Sequence, residues 1–130
     1  MRIPRPRVTP AVLMWVGLIA APSAWAAQHV AGVELTFARC HDGAAGPSWD
    51  VPVDASVIAI TAASALVAVL GALAAVAAWH ATREADDDDP PPAGRIHFLG
   101  IVGLTISPLF LAMILMSGIG TLVLPGCVQS

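Results

Sequence analysis

The sequence predicts an all-α membrane protein of three transmembrane helices, with a cytoplasmic N-terminus and a periplasmic C-terminus. Three observations predict this. The 130 residues are 57% hydrophobic and only 12% charged, against about a quarter charged in a soluble domain. The apolar residues are gathered into three long blocks, and the mean hydropathy reaches +0.78. The basic residues, all arginines, are shared unequally between the segments that flank those blocks. So short and apolar a chain has room for spans and tails in one membrane domain, residues 1–130, and none for a soluble catalytic domain. No basic patch suggests nucleic acid.

The first block, Ala11 to Ala27, supports two readings. Arg2, Arg5 and Arg7, an apolar core, Pro22 and the small-x-small Ala24-Trp25-Ala26 have the pattern of a secretory signal peptide cut before Ala27. Alternatively the block is a membrane helix of about 25 Å. Gln28 and His29 then emerge at the outer interface, and Glu34 stands in water. From Ala24 to Arg39 there is no proline and a single glycine, so that helix extends over about residues 9–39. Pro22 removes one backbone hydrogen bond, which membrane helices tolerate.

The second block, Val57 to Trp79, holds no charged residue and sets a helix over about 55–81. Ser64, Ala68, Gly71, Ala72 and Ala75 give it a face of small side chains that lets helices approach closely in lipid. The third block, Ile96 to Leu124, sets a helix over about 95–124. Pro108 frees the carbonyl of Leu104 there and invites a kink. Met113 and Met116 lie one turn apart, the spacing of core filling more often than of a copper pair.

The loop 83–94 is acidic and proline-rich, with Asp86 to Asp89 in a row. Such a stretch buries no apolar surface, and it lacks the glycine and ligand spacing of a calcium loop. The loop 41–54 joins the first two helices on the outer side. Arg2, Arg5, Arg7, Arg83 and Arg95 fall on one side of a three-span threading, and Arg39 alone on the other. The arginine-rich side is cytoplasmic by the positive-inside rule, in which aspartates count little. The natural host is a bacterial inner membrane.

Two stretches resemble a family of small three-helix bacterial membrane proteins. They are Trp15-Val16-Gly17 with Ala21-Pro22-Ser23-Ala24-Trp25, and Phe98-Leu99-Gly100-Ile101-Val102-Gly103-Leu104 with Leu122-Val123-Leu124-Pro125-Gly126-Cys127. In that family the Pro-x-Ala-Trp stretch lies inside the first helix, a cysteine ends that helix, and another follows the third. The genes often stand beside those of haem-copper cytochrome oxidases. The resemblance implies that the first helix is retained. It also implies a non-enzymatic accessory or assembly subunit, with respiratory oxidase subunits and the lipid bilayer as partners and no cofactor. The family's Asp-Pro-Cys is here Pro125-Gly126-Cys127, so no role rests on that aspartate.

Cys40 and Cys127 are the only cysteines, and the threading puts both outside. In an oxidising periplasm such a pair forms a disulfide. The rival reading is a thiol-redox or copper-handling protein using Cys40, His41 and Cys127, although three ligands are few for zinc. His80 and His97, at the cytoplasmic ends of the second and third helices, could meet across the hairpin. No nucleophile, base and acid stand together, and no enzyme is expected.

Overall fold

The structure is a computed structural model that describes residues 8–40, 52–85 and 88–124. It contains three helices, α1 (Pro10–Cys40), α2 (Val53–Ala81) and α3 (Ala93–Val123), and no strand among the described residues. Each is long and apolar enough to cross a membrane. This is a multi-pass membrane protein. At about 1.5 Å per residue each helix runs some 45 Å, well beyond the ~30 Å of hydrocarbon, so each projects from it.

Proline marks the start of every helix. Pro10 opens α1, where a missing N–H costs nothing, and Thr9 accepts the first backbone bonds through its carbonyl. Pro52 and Pro92 precede α2 and α3. At the end of α2, Thr82 folds its hydroxyl back onto the Ala78 carbonyl at 2.9 Å, satisfying a group left open by the ending helix.

The helices all pack on one another, with α2 antiparallel to α1 and α3. Buried positions recur in alternating steps of three and four. In α1 they are Met14, Gly17, Ala21, Ala24 and Gln28. In α2 the same spacing links Ser64, Ala68, Gly71, Ala75 and Ala78, and in α3 Ile96, Gly100, Gly103 and Ser107. A 3.5-residue period is the geometry of a left-handed bundle.

The interior is made of small residues and the exterior of large ones. Leu66, Leu70, Leu73, Leu109 and Met116 are all more than half exposed, while Ala21, Ala68, Ala75 and Ala78 are closed off. This inverts the pattern of a soluble protein and suits lipid, where large apolar side chains gain nothing by turning inward and close backbone approach supplies the cohesion. The tightest approach joins all three helices. A Cβ built on Gly17 would lie 2.7 Å from the Ala75 Cβ and 2.8 Å from its Cα. One built on Gly103 would lie 3.1 Å from the Gly17 carbonyl oxygen and 3.2 Å from the Ala75 Cβ. Only glycine fits at position 17, and a side chain at position 103 would have to press its neighbours back by a few tenths of an ångström.

These contacts fix the register. Gly17 faces Ala75 and Ala20 faces Gly71, so the uncharged block of α2, Val57 to Trp79, stands opposite about residues 12–34 of α1. The part of α1 level with that apolar block therefore extends past Ala27, to about Glu34. Residues of α1 and α3 at the same level are 86 apart, as with Gly17 and Gly103 or Gln28 and Ile114. Pro22 and Pro108 obey the same offset and share one level near mid-membrane.

Candidate functional site

The most polar point of the interior is Gln28. Sequence reasoning puts it at the outer interface; the structure buries it to 5% exposure, at a level inside the apolar blocks of α2 and α3. The shift follows from the register, which carries α1 further through the membrane than its apolar block alone suggests. The amide nitrogen Nε2 donates to the Thr61 hydroxyl of α2 at 3.1 Å and to the Ile114 carbonyl of α3 at 3.0 Å. One side chain thus ties α1 to both neighbours. Interhelical hydrogen bonds in membranes contribute about 0.6 kcal/mol each on average, so the pair fixes register more than it adds stability.

Gly118 makes this clamp possible. A Cβ at that position would fall 2.5 Å from Thr61 Cγ2 and 2.6 Å from its Oγ1. Without a side chain on Gly118, Thr61 can press against the α3 backbone and present its oxygen to Gln28. A second interhelical bond lies below, where buried Ser107 donates to the Gly17 carbonyl at 3.3 Å. Ser107 therefore spans two helices rather than healing the gap left by Pro108. Thr105 bonds back within its own helix, to Val102 at 2.8 Å.

On the outer surface of the α1–α3 pair lies an aromatic file. Trp25 stacks on His29 with ring centroids 5.6 Å apart and 24° between planes, and meets Phe110 at 5.7 Å and 60°. Trp25 and Phe110 also pack on the core formed by Ala21, Ala24, Ala68 and Ile114. His29 is exposed, yet the register set by Gln28 against Thr61 places it about 4–5 Å inside the end of the α2 block at Val57. It is an ionisable side chain at the level of the apolar blocks, turned away from the bundle.

Comparison with protein-family models, with curated proteins and with solved structures gives no match.

Of the small residues singled out on α2, Ser64, Ala68, Gly71 and Ala75 are buried and Ala72 is half-buried. Cys40 ends α1, while His41 and Cys127 lie outside the described residues, as do Asp86 and Asp87. His80 and His97 take separate neighbours. The His80 ring lies against Trp79 at 4.8 Å, and His97 Nδ1 is 3.4 Å from the Thr82 hydroxyl. Met113 and Met116 both point outward. Among the described residues no three His, Cys, Asp or Glu side chains are grouped to hold a metal.

Sequence reasoning missed the Gln28–Thr61–Ile114 clamp. The signal was there in the spacing Gly17, Ala21, Ala24, Gln28, which continues one seam of small residues into the glutamine.

Proposed function

We propose that this chain is a non-enzymatic accessory or assembly subunit of a respiratory cytochrome oxidase in a bacterial inner membrane, docking through the Trp25–His29–Phe110 face. The observation that carries the docking role is His29. Ionisable residues at membrane depth face a bundle interior or a watery cavity almost without exception, because lipid cannot hydrogen-bond them. His29 faces neither, so a transmembrane helix of a partner subunit is the natural cover for its ring nitrogens. The oxidase as partner comes from the family resemblance of the first and third helices. A mild-detergent pull-down followed by mass spectrometry tests both parts. Oxidase subunits are expected with the wild type, and His29→Leu should cut their recovery at least tenfold while leaving the thermal unfolding of the isolated protein unchanged. Recovery without oxidase subunits rejects the partner. Equal recovery with His29→Leu rejects the face.

We further propose the threading given by the arginines, with the acidic loop cytoplasmic and Cys40 and Cys127 outside and joined. The parallel run of α1 and α3 supports the pairing, since α1 ends at Cys40 and α3 ends at Val123, four residues before Cys127 in the sequence. An impermeant maleimide applied to intact cells should label neither cysteine until reductant is added, and then both. Labelling before reduction contradicts the bridge, and no labelling after it contradicts the threading.

A further inference from the structure

We propose that Gln28, Thr61, Ser117 and Thr121 form a site for a single ordered water inside the membrane-spanning bundle. Gln28 lies at the centre of this site, which needs no partner protein to complete it. Both hydrogens of its amide nitrogen are committed, to Thr61 and to Ile114. Its carbonyl oxygen Oε1 is buried and has no hydrogen-bond partner in the protein. Exchanging the amide's oxygen and nitrogen does not cure this, because the oxygen would then face the Ile114 carbonyl, acceptor against acceptor. A buried acceptor left bare in an apolar bundle has given up its hydrogen bond to water with nothing in return.

A small cavity of about 10 Å³ adjoins the amide. Its walls include Gln28, Gly32, Thr61, Ser117, Gly118 and Thr121. A water needs roughly 10–15 Å³ of space for its centre and two to four polar partners. The volume admits one water and excludes a lipid chain or an aromatic ring. The partners are also of the right kind. Thr121 commits its hydroxyl hydrogen to the Ser117 carbonyl at 2.9 Å, so its oxygen is left as an acceptor. Thr61 receives the Gln28 amide. Ser117 offers a hydroxyl that can donate or accept. The water donates one hydrogen to Gln28 Oε1 and the other to a hydroxyl oxygen of α3, and accepts from Ser117. It thereby completes the set of bonds around Gln28 and links α1 to α3 a second time. Gly32 borders the space and leaves it open, since a Cβ there would meet nothing within 4 Å.

Solid-state NMR of the full chain in lipid bilayers tests the proposal. The glutamine side chains and the alanine methyls are isotope-labelled in a Gln129→Asn background, so that Gln28 is the only glutamine to report. Magnetisation transferred from water should reach the Gln28 side chain several-fold faster than it reaches the buried Ala68 methyl. Ser117→Val, which removes a partner and fills space with methyl groups, should reduce that transfer to the Ala68 level. If this variant does not fold, Ser117→Ala should reduce it several-fold. Wild-type transfer no faster than that of Ala68 means a dry cavity and overturns the proposal. Transfer unchanged in a folded Ser117 variant overturns it too, since the water then lies elsewhere. A melting temperature that rises with sodium chloride but not with choline chloride identifies a cation as the occupant and overturns it as well.

Discussion

Gly17→Val is expected to lower the stability of the bundle in lipid by about 2–3 kcal/mol, the upper part of the range for overpacking a well-fitted interior. The first atom beyond Cα at this position would already lie 2.7 Å from the Ala75 Cβ and 2.8 Å from its backbone. Backbone cannot rotate aside as a flexible side chain can, so α1 must move away from α2. That movement also affects α3, because the Gly17 carbonyl accepts from Ser107 and lies against Gly103. Gly120→Ala is the control, for nothing lies within 4 Å of a Cβ there and alanine is the better helix former. Its effect should stay within about 0.5 kcal/mol or be mildly stabilising. Reversible unfolding in bicelles measures both. A Gly17→Val protein as stable as the wild type would show that the three backbones do not meet at this waist.

The three helices were legible in the sequence because bilayer thickness imposes a length on apolar blocks, and proline punctuates each one at Pro10, Pro52 and Pro92. The small-residue face of α2 was legible for a related reason: Ser64, Ala68, Gly71 and Ala75 recur at helical spacing, and in lipid small residues mark the interface. Gln28 was not. A span read by polarity stops at the first polar group, on the assumption that such a group needs water. Gln28 finds its partners instead 33 and 86 residues away, on two other helices. No local pattern announces bonds of that separation. His29 was missed for the same reason. Its position at the level of the apolar blocks, stacked on Trp25, became apparent only once Gly17 against Ala75 had fixed how far α1 passes through the bundle.

The second large effect concerns α1 itself. A chain beginning at Ala27 is expected not to assemble this structure. It would lose Met14, Gly17, Ala21 and Ala24, four of the five residues in the α1 seam. Ala21 and Ala24 belong to one core cluster with Ala68 and Ile114, and Met14 to the other with Ala78 and Ile96. Ser107 would lose the carbonyl that it bonds. The remaining hairpin would keep Gln28 on an α1 stub whose register nothing below it holds.

From this packing we infer that the chain is not cut after Ala26. Signal peptides are cut at the membrane surface, after a short apolar core. Here Ala24-Trp25-Ala26 stands opposite the middle of α2, with Ala24 buried and Trp25 packed on Phe110. The same three residues that resemble a cleavage site are, in this fold, the centre of a transmembrane helix.

The central claim is that α1 is a structural member of a three-helix bundle. Peptide mapping and N-terminal sequencing of the protein purified from its own membrane test it most directly. Peptides covering Met14 to Ala27 are predicted in the mature chain, at the same abundance as those from α2 and α3; a mature N-terminus at Ala27 would contradict the claim.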